Sequence, residues 1–309
     1  MKITENCIIN KIPEDIYHSD PCPEPSLSSS MANALVEKTE LEAMIDSKRL
    51  NPNYKESESS AAMDLGTIAH DFVLLGGQNL FEVAPFDAWR SNDAKAAKAA
   101  IEARGKIALN QNTRGIIDDV AMMKNRLLEQ VSEHREYPEL FQGGDAEQSG
   151  FAFDGKIWNR ARFDWLPTKY PDLIVDYKTT GIDFNRWEKN ELWGGKYMQS
   201  IHYRHVYKTI IGRDAKFVWL VQQVKEPYLI KLFTIDASYI EEVSKRYELA
   251  RLKFMNCLKT GQWRGEVPYT IHSYPPKWVM DNWEADDLQR AEIEKEEKQQ
   301  EHIDVRMAG

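Results

Sequence analysis

The segment DLIVDYKTTG, residues 172–181, constrains the fold most because it joins an apolar strand to two charges of opposite sign. Side chains alternate across a strand, so Ile174, Asp176 and Lys178 share one face of it. The two charged side chains therefore extend from the same side of a strand whose first half has the composition of a core. The pattern predicts either a structural ion pair at a sheet edge or two members of a functional site.

Hydrophobic periodicity changes once along the chain, near residue 143. After a strand-like CIIN at residues 7–10, helical spacing of apolar residues prevails up to residue 142. Residues 143–265 contain short strand-like segments separated by turns, together with two helical segments, KYMQSIHYRHVYKTII and ASYIEEVSKRYELARLKFMNCLKTG. We therefore predict an α/β fold with a helical N-terminal portion and a sheet core, within one domain of residues 1–283. Residues 284–309 contain nine acidic and four basic residues, and we predict an acidic helix or tail there.

Composition narrows the class of protein. Hydrophobic residues make up 42% of the chain, which is enough for a sizeable core. No apolar run approaches the length of about 20 residues that a membrane span needs, so we expect no membrane contact. The N-terminus lacks the apolar stretch of a secretory signal, and three scattered cysteines favour a reducing, cytoplasmic location. A net charge of −9 weakens a nucleic-acid interpretation without excluding it.

A second carboxylate can join the charged pair. Asp164 lies near the end of the preceding predicted strand, residues 157–166, and a short connection lets that strand run antiparallel to the next. Asp164 and Asp176 would then meet, and they would repel unless a hard cation such as Mg²⁺ or Mn²⁺ lies between them. Such an ion generates hydroxide near neutral pH and stabilises charge on a phosphate, while Lys178 can orient or deprotonate the water. These residues outline phosphodiester hydrolysis.

Four motifs in order resemble the RecB-like branch of the PD-(D/E)xK nuclease superfamily. They are G-x-x-x-H at residues 66–70, Asp164, D-Y-K-T at residues 176–179, and Q-x-x-x-Y at residues 199–203. Further segments, among them SLSSSMANAL, FDAWRSNDAKAAKAA and KYMQSIHYRHVY, are similar to the nuclease domain of the RecE (exodeoxyribonuclease VIII) family. This likeness covers roughly residues 8–265. It implies a restriction-endonuclease-like fold with a central mixed sheet flanked by helices.

The same resemblance implies a function. RecE-type nucleases are metal-dependent 5′–3′ exonucleases of linear double-stranded DNA that leave 3′ single-stranded tails for recombination by strand annealing. The expected partners are double-stranded DNA ends, a RecT-like single-strand annealing protein, and copies of the chain itself in a ring-shaped tetramer. The alternatives are a RecB-like nuclease of other polarity, an endonuclease, or a non-catalytic DNA-end-binding recombination scaffold. A scaffold would not need Asp164, Asp176 and Lys178 together.

The resemblance also assigns roles to residues. It implies two Mg²⁺ ions, with Mn²⁺ as a possible substitute, and metal ligands at His70, Asp164, Asp176 and the backbone carbonyl of Tyr177. Glu147 is expected to support a second metal, although it can equally be an exposed strand residue. Asp172 only resembles the first aspartate of the motif, because it begins the strand about 13 Å from Asp176.

The remaining candidates have a structural interpretation beside the functional one. Lys178 is expected to position the nucleophilic water as a catalytic residue. Gln199 and Tyr203, at i and i+4 on one helix face, are expected to line the catalytic site or else to be buried in the core. Four side chains are expected to contact the DNA backbone: Arg160, Arg162, Thr179 and Thr180.

Overall fold

The computed structural model describes residues 1–55, 61–77 and 80–307. Two compact units are present, Met1–Gly265 and Glu266–Gly309. The predicted domain limit at residue 283 stays a prediction, as does the tail of residues 284–309. The second unit contains α10 (Lys277–Met307). None of the described helices is long and apolar enough to span a membrane.

The first unit alternates helices and strands. Its strands are β1 (Cys7–Asn10), β2 (Phe81–Val83), β3 (Ile107–Leu109), β4 (Gly144–Phe153), β5 (Trp158–Pro167), β6 (Leu173–Thr180), β7 (Lys216–Gln223) and β8 (Ile230–Phe233). Its α-helices are α1 (Glu14–His18), α2 (Ser29–Glu37), α3 (Glu40–Ile45), α4 (Ala61–His70), α5 (Asn92–Glu102), α6 (Ile116–Ser132), α7 (Phe184–Trp187), α8 (Tyr197–Ile211) and α9 (Ile240–Thr260). Two π-helical segments, Asp71–Leu75 and Glu188–Lys196, continue α4 and precede α8.

A six-stranded mixed sheet forms the centre of this unit, in the order β1-β4-β5-β6-β7-β8. Strands β6 and β7 pair in parallel, and the other neighbours pair antiparallel. Parallel neighbours need a long crossover, and here α7, a π-helical segment and α8 provide it. Helix α8 consequently packs on β4, β5 and β7. The prediction of an α/β fold with a central mixed sheet flanked by helices is confirmed.

The N-terminal portion is not purely helical. Strand β1 pairs antiparallel with β4 and forms one edge of the central sheet, with Cys7 opposite Phe151. Strands β2 and β3 form a separate two-stranded parallel sheet. The strand-like sequence CIIN thus forms β1, and the structure adds its pairing with β4.

Strand β6 separates two layers of the core. Ile174 packs in the cluster formed with α2, α8 and α9, whereas Leu173, Val175 and Tyr177 pack in the cluster formed with α4 and α6. This division is the alternation that the sequence predicts for a strand buried on both faces. Because Asp176 follows the parity of Ile174, its side chain extends toward the layer that contains α8.

Candidate active site

Asp164 and Asp176 lie beside each other on neighbouring strands. Trp165 is paired with Val175 in the antiparallel register, which places Asp164 opposite Asp176. The N–H of Tyr177 donates to Oδ2 of Asp164, 3.0 Å away. The two strands are thus joined through a side chain at the point where the carboxylates meet. Both aspartates are buried, so they have little water to separate their charges.

The Lys178 ammonium lies between the two carboxylates. Its Nζ is 2.5 Å from Oδ2 of Asp176 and 3.7 Å from Oδ2 of Asp164. It also donates to the backbone carbonyl of Tyr177, at 3.4 Å. The ion pair that the sequence allows is therefore present, and it lies within a group of ionisable side chains.

A second group of ligand atoms is centred on His70. Its Nδ1 is 3.2 Å from Oε1 of Glu147, and its Nε2 is 3.2 Å from Oδ2 of Asp164. One ligand atom from each of these three residues lies within 4.8 Å of the other two. His70, Glu147 and Asp164 come from α4, β4 and β5, so the group forms only when that helix docks on the sheet.

Glu147 is held in a backbone conformation that is rare inside a strand. Its φ is +54°, in the left-handed region that residues other than glycine seldom adopt. The flanking register pairs Ala146 with Trp165 and Gln148 with Phe163, which places Glu147 opposite Asp164. Strain of this kind concentrates at functional sites. Here it accompanies a carboxylate that reaches both His70 and Arg162, whose Nε is 3.3 Å away.

The glycine of the G-x-x-x-H motif makes room for a threonine of β6. A Cβ placed on Gly66 would lie 3.3 Å from Oγ1 of Thr179. The motif thus allows α4 to approach β6 closely, and it is this approach that brings His70 to Asp164. His70 is also the last residue of α4 before the chain widens into the π-helical segment Asp71–Leu75.

Gln199 contacts Asp176 directly, and the Tyr203 side chain interacts with Gln199 and with the charges of Asp176 and Asp164. The Nε2 of Gln199 donates to Oδ1 of Asp176 at 2.6 Å, and its Oε1 accepts from Trp219 Nε1 at 3.4 Å. Tyr203 is buried between the rings of Phe163 and Phe217, which it meets edge to face. Tyr203 is thus buried in the core and also borders Gln199, so its predicted place in the site stays a prediction.

The two arginines predicted to contact DNA are engaged with the N-terminal segment. Arg160 Nη1 is 3.1 Å from Oδ2 of Asp20 and donates to Oγ of Ser26 at 2.7 Å. Arg162 donates from Nη2 to the carbonyl of Ile12 and lies over the Tyr17 ring. Arg162 also reaches the site through Glu147, whereas Arg160 lies outside the group of ligand residues. A DNA contact by either residue stays a prediction.

The ends of β6 differ in character. At its C-terminal end Oγ1 of Thr180 accepts from the N–H of Ile182 at 3.2 Å, so this threonine caps the following turn. At its N-terminal end Asp172 forms an exposed ion pair with Arg213, with Nε 3.0 Å from Oδ1. Asp172 therefore has a surface partner of its own at the opposite end of the strand from Lys178, where the sequence places it.

Burial and mutual charge shift the pKa values of the site in opposite directions. Burial and the nearby Asp164 raise the pKa of Asp176 to about 6. Burial acts the same way on Asp164, but the Lys178 and His70 charges outweigh it and lower its pKa to about 2. Burial lowers the pKa of Lys178, but the carboxylates of Asp176 and Asp164 outweigh it and raise that pKa. The carboxylates of Asp164 and Glu147 likewise outweigh burial and raise the pKa of His70. The cations are thus stabilised in their protonated forms.

The donor set suits a hard divalent cation. Carboxylate oxygens with one imidazole nitrogen are ligands that Mg²⁺ and Mn²⁺ accept. Oδ2 of Asp176 is buried and forms no regular hydrogen bond within the described residues, although the Lys178 ammonium lies beside it. A buried carboxylate oxygen in this state is costly unless a cation neutralises it. The residues present therefore fit a metal bound beside Lys178.

Trp219 is the contact residue that the sequence did not single out. It lies on β7, opposite Asp176 in the parallel register, and its side chain is fully buried. Its sequence context, KFVWLVQQ, reads as an ordinary core strand. No local pattern signals its role, because β6 and β7 become neighbours only through the crossover that contains α8.

A family model and a solved structure are similar to this chain. Residues 28–267 match a family model described as a PDDEXK-like domain of unknown function, DUF3799. The crystal structure of a "Putative exonuclease" from Eubacterium rectale superposes with a TM-score of 0.55 at 14% sequence identity, covering 88% of this chain and 98% of that chain. No curated protein matches the chain. The structural likeness supports the fold, and the family match extends over the whole of the site.

Proposed function

This chain belongs to the PDDEXK-like domain family, whose members have the fold of PD-(D/E)xK nucleases, and from that premise we propose that it is a metal-dependent nuclease that hydrolyses DNA. The observation that carries the proposal is the grouping of His70, Glu147 and Asp164 beside the Asp176–Lys178 pair. A core needs no such concentration of buried ionisable groups, whereas phosphodiester hydrolysis does.

The metal proposed for the site is Mg²⁺, with Mn²⁺ as a substitute and two ions per site. His70, Glu147 and Asp164 would hold one ion, and Asp176 with the Tyr177 carbonyl would complete the ligand set. When bound, such ions lower the pKa of water and neutralise charge on a phosphate. The ligand residues supply mostly negative charge, which favours a divalent over a monovalent cation.

Lys178 supplies the cationic group of the chain itself. Because its pKa is raised, it keeps its proton at Nζ near neutral pH. It can therefore orient a water by donating a hydrogen bond and can stabilise charge that develops on the phosphate. Gln199 holds one oxygen of Asp176. We propose direct attack by water, which a divalent metal at the site would activate.

We propose the finer function from the likeness to RecE-type nucleases. In this proposal the protein digests linear double-stranded DNA from 5′ ends and leaves 3′ single-stranded tails for recombination by strand annealing. The four RecB-like motifs and the further segments similar to RecE support it, as does the fold shared with the structure titled "Putative exonuclease". A RecT-like annealing protein and a ring-shaped tetramer around DNA are the proposed partners. Light scattering of the purified protein tests the tetramer.

The decisive experiment compares DNA forms and variants. Linear, nicked and closed circular duplexes are incubated with Mg²⁺ or with EDTA, using wild type, Lys178→Ala and Asp172→Ala. We expect Mg²⁺-dependent nucleotide release from linear DNA, a loss of about 1,000-fold in Lys178→Ala, and wild-type activity in Asp172→Ala. The Asp172 variant is a matched control, because it removes a charge from the same strand at a surface ion pair.

Several results would change the proposal. Cutting of closed circles would indicate an endonuclease, and DNA-end binding without products would indicate a recombination scaffold. Duplexes blocked by phosphorothioate linkages at the 5′ or the 3′ ends report the polarity. Digestion that stops only with 3′ blocks would contradict the 5′–3′ direction. Full activity in EDTA would contradict the metal.

A further inference from the structure

The indole of Trp219 makes a hydrogen bond that leads to the catalytic carboxylate. Its Nε1–H donates to Oε1 of Gln199 at 3.4 Å, and Nε2 of Gln199 donates to Oδ1 of Asp176 at 2.6 Å. Asp176 and Trp219 lie opposite each other in the parallel register of β6 and β7. The three side chains form a continuous path from the core cluster of α8 and α9 to the carboxylate.

The chemistry of the indole fixes the direction of this path. An indole N–H is a donor and never an acceptor, so it can pair only with the oxygen end of the Gln199 amide. The NH₂ end must then face Asp176. A flipped amide would place Oε1 against the Asp176 carboxylate and NH₂ against the indole N–H, which are two repulsive contacts in a buried site.

We propose that Trp219 is a positioning residue that keeps Gln199 as a hydrogen-bond donor to Asp176. With Oδ1 of Asp176 satisfied by the amide, Oδ2 remains directed to the cation at the site, which in this structure is the Lys178 ammonium. The inference rests on the proposed function, because it concerns how one metal ligand is held. Partners that orient metal ligands typically change metal affinity or activity by about 10–100-fold when they are removed.

A purely structural role for Trp219 makes a different prediction. The ring is fully buried and meets Phe217 edge to face, with centroids 4.8 Å apart. If packing were its entire role, Trp219→Phe would lower stability and leave metal affinity unchanged. Trp187 is the matched control, because it is buried in the same cluster and packs on the Phe233 ring with centroids 5.0 Å apart, and no described hydrogen bond joins it to Gln199.

The test measures Mn²⁺ binding to the full chain by calorimetry, without DNA. The proteins compared are wild type, Trp219→Phe, Trp187→Phe, Gln199→Leu and the Trp219→Phe/Gln199→Leu double variant. We expect a loss of about 10-fold in affinity for Trp219→Phe and none for Trp187→Phe. The double variant should bind within about twofold of Gln199→Leu alone, because both changes break the same path. In nuclease assays Trp219→Phe should need more metal yet approach wild-type kcat at saturation.

A second substitution separates the hydrogen bond from the shape of the ring. Site-specific incorporation of 3-benzothienylalanine at position 219 keeps the bicyclic ring and removes the N–H. The same loss of Mn²⁺ affinity as in Trp219→Phe would support the proposal. Unchanged affinity, or independent additive losses in the double variant, would overturn it while leaving the nuclease proposal intact. A wild-type protein that cleaves no DNA and binds no Mn²⁺ would overturn both.

Discussion

Stability should fall in mild acid because a neutral histidine is buried behind the site. His202 is fully buried, its Nε2 lies 2.9 Å from the carbonyl of Arg160, and its Nδ1 lies 3.1 Å from the Tyr247 hydroxyl. A carbonyl only accepts, so Nε2 carries the proton. Burial, together with the nearby His205, Arg160 and Arg251 charges, lowers the pKa of His202 to about 3.

The direction in which stability changes with pH follows from the number of protons that the folded and the unfolded states bind. In the unfolded chain a histidine has a pKa of about 6.5, so between this value and the folded value the unfolded state binds more protons. The stability contributed by His202 is therefore fully present above pH 6.5 and is lost as the pH falls toward 3. Linkage with these two values gives a loss of about 2 kcal/mol in the free energy of unfolding between pH 7.5 and pH 5.0.

The assay is urea unfolding at the two pH values for wild type and His202→Gln, in which the amide retains a donor for the Arg160 carbonyl. Other groups that titrate in this range, including Asp176 and His70, are common to both proteins and cancel. Wild type should lose about 2 kcal/mol more than the variant. Equal losses in wild type and His202→Gln would refute the reasoning.

Two further variants test the ligand group. Glu147→Gln removes a charge while keeping the size of the side chain, and it should lower Mn²⁺ affinity by about 10-fold in calorimetry; unchanged affinity would remove Glu147 from the ligand set. Gly66→Ala should reduce nuclease activity, because its Cβ meets Oγ1 of Thr179 at 3.3 Å and presses α4 away from β6. Adding Thr179→Ala should restore part of that activity, and no restoration would mean that the glycine acts elsewhere.

The part of the site that the sequence predicts well is the part built from local structure. The alternation in residues 172–181 and the short connection before it are enough to bring Asp164 to Asp176, since hairpin neighbours follow from chain proximity. His70 and Gln199 were found through motifs whose meaning depends on tertiary packing. For both residues the sequence indicates a site residue, but it does not indicate which side chain that residue contacts.

What the sequence missed depends on long-range pairing and backbone strain. Trp219 reaches Gln199 because of a parallel register that no local signal encodes. The positive φ of Glu147 has no signature, since glycine or asparagine is the usual residue in that conformation. The motif identifies Gly66, but no local signal shows that this glycine makes room for Thr179 on β6. Arg160 and Arg162 looked free because their partners lie more than a hundred residues earlier.

The distribution of ligand residues along the chain has a consequence for folding. Asp164 and Asp176 are 12 positions apart on adjacent strands, whereas His70 precedes Asp164 by 94 positions. Closing the short connection costs little chain entropy, while docking α4 closes a long loop and comes at higher entropic cost. We therefore expect the two aspartates to come together early in folding. We expect His70 to join them later, when α4 docks on the sheet. A chain that has formed its sheet but not docked α4 would hold the acids without the imidazole.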